Sequence, residues 1–273
     1  MAKPLIILDS GHNEHVQGKQ APDGSMREWE FNNDMQYRLK PRLEALGFEV
    51  YLTNPSPAKK NEIGLSARAS AANNYWTKKS KPNALFVSLH ANAFGVWTNA
   101  NGVEVFHSKN ASNKSKEAAK IMCKHIHSTL KALRPDSVNR GVKSENFTVI
   151  YKAAMPSILI EYAFYTNKKD LAILKNNRDK LAEATIKAIC EHFNVKYNES
   201  APNVSSNKEV GQFLVKIIID TLNIRRGPGT NHPVVGQVYN NQVFTITSVD
   251  GNWGKLRSGA GWISLSDKYI KRL

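Results

Sequence analysis

Three short apolar runs, spaced about 70 residues apart, most constrain how this chain can fold. They are residues 4–10, followed by Gly11-His12; residues 84–89, followed by His90-Ala91-Asn92; and residues 157–160, followed by Glu161. Each is the length of one strand. Between them, apolar residues recur at helical spacing. Glu28, Asn32, Met35, Leu39, Leu43 and Leu46 follow steps of three and four along one helix face. Gly47 supplies a stop, and residues 48–53 read as the next strand. Residues 63–74 read as a helix, 102–107 as a strand, 112–133 as a long helix, 147–151 as a strand and 168–193 mostly as helix. Such alternation predicts an α/β fold, a largely parallel sheet covered by helices on both faces. Parallel strands deliver their carboxyl ends to one edge, where sites form. His12, His90 and Glu161 are thereby expected to meet.

Between residues 197 and 212 the composition turns to Asn, Ser, Pro, Glu and Lys, with little to bury. The expected organisation is a first domain at 1–197, a linker at 198–211 and a second domain at 212–273. In that second part, short runs at 213–222, 233–238, 242–249, 253–257 and 261–263 are split by turn signals. These are Arg226-Gly227-Pro228-Gly229, Asn240-Asn241, Asp250-Gly251 and Ser258-Gly259. The pattern predicts a small all-β barrel.

The formal net charge is +15, from 38 basic and 23 acidic residues. The excess is spread over both parts: 29 basic against 18 acidic up to Tyr197, and 9 against 5 beyond it. A field of this sign favours a polyanionic partner. Nucleic acid is a poor candidate, because no basic helix with interleaved aromatics and no reader motif is present. The clusters Lys78-Lys79-Ser80-Lys81 and Lys114-Ser115-Lys116 read as solvated faces. Cys123 and Cys190, far apart in helix-like segments, read as reduced thiols. The early apolar stretch at residues 5–8 is too short for an export-signal core or a membrane span. Synthesis in a cytoplasm without membrane insertion is the expectation.

Two histidines at strand ends fit structural roles or a metal site, and spacing alone does not choose between these. A catalytic zinc takes three protein ligands and keeps one open position. His12 and His90 offer two imidazoles. Glu28 and Glu30 both precede the first helix, and helical phase separates them. Glu28 lies about 20° from the buried stripe marked by Met35, Glu30 about 140°. Glu28 is thus the better ligand, and Glu30 is expected in solvent. Glu161 ends an almost wholly apolar strand, where an unpaired carboxylate is costly. It needs a metal, a cation or a proton-transfer role. His15 falls in a polar loop, and His107, His125, His127 and His192 read as surface or packing residues.

Asp9-Ser10-Gly11-His12, then Glu28 with Asn32, resemble the opening signature of zinc-dependent N-acetylmuramoyl-L-alanine amidases. Leu65-Ser66-Ala67-Arg68, Ser88-Leu89-His90-Ala91-Asn92-Ala93, Gly102-Val103-Glu104-Val105-Phe106 and Pro156 to Phe164 continue the likeness over about residues 4–193. Ser10 departs from the proline more usual in that family. The resemblance implies that His12, Glu28 and His90 bind Zn2+ and that Glu161 is the catalytic carboxylate. The implied substrate is peptidoglycan, cut at the amide between the lactyl group of N-acetylmuramic acid and L-alanine.

The tail resembles a bacterial SH3-like domain. The likeness runs through Leu222-Asn223-Ile224-Arg225-Arg226-Gly227-Pro228-Gly229, Asn252-Trp253-Gly254-Lys255-Leu256 and Gly261-Trp262-Ile263. It implies binding to the cell wall, and the basic charge extends that to anionic wall polymers. Trp253 and Trp262 are expected in or near the barrel core. Residues 75–82 read as a lysine-rich loop insertion. The combination fits a phage endolysin released through a holin-type pore, with a host autolysin or a non-catalytic wall-binding protein as the alternatives.

Overall fold

The structure is a computed structural model and describes residues 3–55, 63–198, 213–230, 232–250 and 252–273. These form two compact units, one on each side of residues 199–212. The expected linker at 198–211 lies, beyond Asn198, outside the described residues.

In the first unit the elements run β1 (Leu5–Ser10), α1 (Glu28–Ala45), β2 (Glu49–Leu52), α2 (Leu65–Lys78), β3 (Ala84–Asn92) and β4 (Val103–His107). They continue as α3 (Asn113–Leu133), β5 (Asn139–Ser144), α4 (Thr148–Tyr151), β6 (Ser157–Phe164), α5 (Lys168–Asn176) and α6 (Arg178–Phe193). The sheet order is β2-β1-β3-β6-β4-β5. Every pairing is parallel except β4 with β6, which is antiparallel.

Alternation along the strands sorts the core into two layers. Ile6 and Leu8 pack with Met35, Leu39 and Leu43 of α1, Ile126 of α3 and Ile189 of α6. Leu5, Ile7 and Phe86 face the other way, toward Ala72 of α2 and Val149 and Ile150 of α4. Each fully buried Leu or Ile contributes roughly 1.5–3 kcal/mol, so the sheet is held from both faces. Helix α1 ends where expected: Gly47 has φ +92°, and the Phe48 N–H donates back to the Leu43 carbonyl at 3.1 Å. That is a glycine stop of the usual left-handed kind.

Several expected elements differ. Residues 147–151 form one helical turn, because Val149 and Ile150, adjacent in sequence, are both buried in the same cluster. A strand would point them to opposite faces. The expected loop at 75–82 begins as the last turn of α2, since Tyr75 stacks on Tyr51 at 4.0 Å and Trp76 packs on the core. Strand β5 was not foreseen; it is an edge strand in which Val142 is the residue packed on the core, among Arg140, Gly141 and Lys143. Residues 168–193 are two helices, α5 and α6, meeting at Asn177.

The second unit is one antiparallel sheet, in which the first strand of the unit lies between the last strand and the fourth. Its strands are β7 (Phe213–Ile217), β8 (Thr221–Arg225), β9 (Val234–Tyr239), β10 (Val243–Asp250), β11 (Trp253–Leu256), β12 (Trp262–Ser264) and β13 (Ile270–Arg272). Val215, Ile217, Ile246 and Ile263 make its core. The run at 213–222 breaks at exposed Ile218 into β7 and β8, which are not neighbours. Trp253 and Trp262 are half-buried.

Asp170, fully buried at the start of α5, ties the β6 side of the sheet together. It accepts from the Gly102 N–H at 2.9 Å, the Phe164 N–H at 3.0 Å and Arg134 Nη1 at 2.6 Å. Breaking a buried ion pair from one side costs about 3–5 kcal/mol. A fragment of residues 1–197 is expected to unfold cooperatively in urea. Asp170→Ala in that fragment is expected to lower its stability by about that amount; a loss near zero would remove Asp170 from this role.

Candidate metal centre

The carboxyl ends of β1 and β3 and the first turn of α1 converge at one edge of the sheet. His12 stands two residues past the end of β1 and takes a left-handed backbone, φ 60°. This is a sparsely populated conformation for a residue with a Cβ, so the surroundings must hold it. Asn54 Nδ2 donates to the carbonyls of Ser10 and His12 at 3.0 and 3.1 Å. Gln36 Nε2 in turn donates to the Asn54 carbonyl at 3.0 Å. Asn32 Nδ2 donates to the Gly11 carbonyl at 3.1 Å, and Arg68 Nη1 to the Ser10 carbonyl at 2.8 Å.

Gly11 is required by close approach. A Cβ there would lie 2.2–2.6 Å from ring atoms of His90, well inside van der Waals contact. The absence of a side chain lets the His90 ring lie flat against the turn that carries His12.

Glu28 Oε1 stands 3.2 Å from His12 Nε2 and 2.9 Å from His90 Nδ1. The two rings sit edge to face, centroids 5.0 Å apart. One donor atom from each of the three residues lies within 4.8 Å of the others. Glu28 is 2% exposed, while Glu30 is exposed and accepts from the Arg27 N–H. Burial pushes the Glu28 carboxyl up, but the hydrogen bonds and charges of His12 and His90 outweigh it and hold it below the usual range. Its place in the first turn of α1 also favours the ionised form. Burial pushes His90 down, against an opposing pull from Glu28. A carboxylate with a neutral imidazole is the protonation state in which such groups ligate metals.

The donor set tests well against a catalytic zinc site. Two imidazoles and one carboxylate are a known combination for it. The separations of 2.9 and 3.2 Å are close to the edge of a tetrahedron with bonds of about 2.1 Å, roughly 3.4 Å.

Glu161 is the register partner of His90 across β3 and β6, and of Glu104 across β4 and β6. Paired residues in neighbouring strands point to the same face. The β3–β6 register slips immediately afterwards, where Asn92 pairs with Phe164; such bulges re-aim side chains beside sites. Glu161 Oε2 is buried without a hydrogen-bond partner among the described residues. Burial, then the charges of Glu28 and Glu104, push the Glu161 carboxyl well above the usual carboxylate range, against a smaller pull from Lys19.

Glu104 is the site residue that sequence reasoning passed over. It accepts from Asn92 Nδ2, Lys143 Nζ and, at 3.0 Å, Arg140 Nε. These donors, set against burial, hold it below the usual range. Its signal was available: a carboxylate inside the apolar run at 103–106, the same cue that singled out Glu161. Asn92 therefore braces Glu104, and Arg140 and Lys143 border the site from β5. His15 is exposed and outside the group. His107, His125 and His127 bond to Ser108, Glu191 and Ser137 away from it.

Fold and site together define an α/β protein with a His/Glu/His group and a buried carboxylate at one sheet edge. Residues 6–191 match the N-acetylmuramoyl-L-alanine amidase family Amidase_3, and residues 220–271 match the bacterial SH3 domain. The chain belongs to that amidase family. It is 32% identical over 183 residues to the N-acetylmuramoyl-L-alanine amidase LytC of Bacillus subtilis, covering 66% of this chain and 33% of LytC. It is 36% identical over 212 residues to an uncharacterized cell wall amidase of Bacillus anthracis, covering 72% of this chain and 37% of that protein. The chain thus spans about a third of the length of these two relatives. The endolysin of Bacillus phage SPP1 is 26% identical over 223 residues, with 79% of this chain and 76% of the endolysin covered.

Among solved structures, the catalytic domain of the amidase CwlV from Bacillus (Paenibacillus) polymyxa var. colistinus superposes with a TM-score of 0.60 at 27% identity. It covers 71% of this chain and 99% of that domain. An N-acetylmuramoyl-L-alanine amidase of Clostridium difficile 630 gives 0.62 at 26%, with the same coverage.

A methyl group at Gly11 would displace the His90 ring. Gly11→Ala is expected to weaken binding of a divalent ion such as zinc by about 10–100-fold, read by competition with a chromogenic chelator. Unchanged affinity would show that the His90 ring is not held by this approach.

Proposed function

We propose that the chain is a zinc-dependent N-acetylmuramoyl-L-alanine amidase that hydrolyses the amide between the lactyl group of N-acetylmuramic acid and L-alanine in peptidoglycan. The observation that carries this is Glu161 in register with His90, beside the His12–Glu28–His90 group, in a chain of this family. His12, Glu28 and His90 would hold the ion. When bound, zinc supplies Lewis-acid polarisation of a carbonyl and a lower pKa for water.

The protein's own part is proton handling and positioning. Glu161, desolvated and raised, is a stronger base than an ordinary carboxylate and suits taking a proton from the attacking water. The same oxygen then returns that proton to the departing L-alanine nitrogen, so the amine leaves neutral. Glu104, held ionised by Arg140 and Lys143, keeps negative charge beside Glu161 and maintains its affinity for the proton. Exposed Phe94, Val96 and Trp97 follow β3 and offer an apolar rim for the substrate.

The SH3-like unit is proposed to bind the wall, which would raise the local concentration of the catalytic unit on a polymeric substrate. The endolysin reading has its parallel in the SPP1 endolysin, 26% identical over 223 residues, and the autolysin reading has its parallel in LytC. In the endolysin reading the enzyme is made in the host cytoplasm and reaches the wall through a holin-type pore. Lysis of producing cells only when a membrane pore is supplied supports it; lysis without one supports the autolysin.

The central test is digestion of purified peptidoglycan with mass spectrometry of the new termini, after chelation and after zinc restoration. Free L-alanine amino termini appearing only with metal are expected, and wall binding without cleavage would leave a non-catalytic wall binder. Glu161→Gln is expected to retain the ion yet lose about 10²–10⁴-fold in turnover. A fully active Glu161→Gln would remove it as the proton acceptor.

A further inference from the structure

The two lysine clusters of the sequence, residues 78–81 and 114–116, meet in space. They meet at the edge of the sheet opposite the metal centre. There a cleft of about 660 Å³ opens at the amino ends of β3 and β6, with Ala84 and Ser157 in its wall. From Ala84 to His90 along β3 is six residues, roughly 20 Å, so cleft and metal centre are separate places.

Two cations, Lys81 and Lys114, line this cleft, and no carboxylate is among the described residues that line it. The backbone position of Lys81 is set by a tight turn. Ser80 and Lys81 are both left-handed, φ 61° and 52°, an unusual pair for residues with side chains. The turn is closed by the Lys81 N–H donating to the Trp76 carbonyl at 2.9 Å and by Trp76 Nε1 donating to the Pro82 carbonyl at 2.9 Å. Lys81 Nζ then lies 5.8 Å from the centre of the Trp76 ring. Lys114 is turned toward the same place, its Nζ 3.5 Å from Asn83 Oδ1. By contrast, neighbouring Lys79 is engaged elsewhere, paired with Glu49 at 2.7 Å. Asn110, Ser112 and exposed Tyr151 add hydrogen-bonding groups to the wall.

A concave, carboxylate-free wall with two ammonium groups and polar donors suits a chain of phosphodiesters. Ammonium groups pair with phosphate as point charges, and a polyanion gains further by releasing its counterions. We propose that this cleft binds an anionic phosphodiester polymer of the bacterial wall, such as poly(glycerol phosphate), while the opposite edge works on peptidoglycan. The choice of a wall polymer rests on the amidase reading; the binding itself does not.

The experiment uses the full chain with purified poly(glycerol phosphate) as the probe, titrated over a range of salt. Lys81→Gln with Lys114→Gln is expected to weaken binding and lower the slope of log affinity against log salt by about one per lysine. Lys78→Gln with Lys116→Gln removes the same charge outside the cleft and is expected to leave most of the affinity. Thermal unfolding of both pairs, and cleavage of peptidoglycan stripped of phosphodiester polymer, should match the parent. Equal losses in the two pairs would reduce the effect to net charge and overturn the site. Parent-like binding by the cleft pair would overturn it as well. A charge-matched DNA strand bound as tightly, with the same dependence on Lys81 and Lys114, would overturn the assignment to a wall polymer. Because binding is read without cleavage, an inactive but polymer-binding protein would sink the amidase reading and not this one.

Discussion

The edge that carries His12, Glu28 and His90 depends on one buried ion pair. Asp9, wholly inaccessible at the end of β1, accepts from Thr53 Oγ1, from Ser88 Oγ at 2.8 Å and from Arg68 at 3.3 Å. Arg68 also reaches the Ser10 carbonyl. Those partners sit just past β2, on β3 and on α2, so a single carboxylate joins three elements to the residue two positions before Gly11. A buried charge is costly unless each of its lone pairs has a partner, which gives this end of the sheet one satisfied arrangement. Given that arrangement, the left-handed turn at His12 follows, and the ring of His90 has only the space left by Gly11.

What was legible in the sequence was whatever repeats. The apolar runs pointed His12, His90 and Glu161 to one edge, although β3 and β6 run on to Asn92 and Phe164, so His90 and Glu161 lie within their strands and not at the expected ends. Helical phase separated Glu28 from Glu30. Amphipathic periods likewise marked α1 and α3. What stayed hidden does not repeat. Asn54 and Gln36 act through bonds to loop carbonyls, and a lone polar residue in a loop carries no periodic mark. Strand β5 has a single residue packed on the core, too few for a pattern. The turn at 147–151 was misread because a short apolar run has no period of its own. Glu104 is a different case: the cue existed, but its meaning came only from the β4–β6 pairing that sets it opposite Glu161.

The basic charge also takes on a different meaning once it is located. As a total, +15 is a statement about long-range attraction to anything negative. Some of it is already neutralised in the fold, as where Arg134 meets Asp170 or Arg140 meets Glu104. The lysines at the amino edge of the sheet are differently placed, because the descending strand β4 and the start of α3 bring residues 108–114 against the end of the α2 turn. Two segments that read separately as solvated faces become one surface by topology alone.

The one antiparallel pairing of the first sheet, β4 with β6, has a further consequence. Since β3 ends and β4 begins at the same edge, residues 93–102 never leave it, and the chain passes along the rim of the centre instead of crossing the sheet. Its two ends are anchored, by Asn92 bonding to Glu104 and by Gly102 bonding to Asp170. The span between them supports no strand. Its middle is held to the turn after β6, where Phe94 and Thr98 donate to Thr166 and Asn167 donates to the Thr98 carbonyl. The side chains that point outward from it, and not its path, are therefore what can change without disturbing the sheet register.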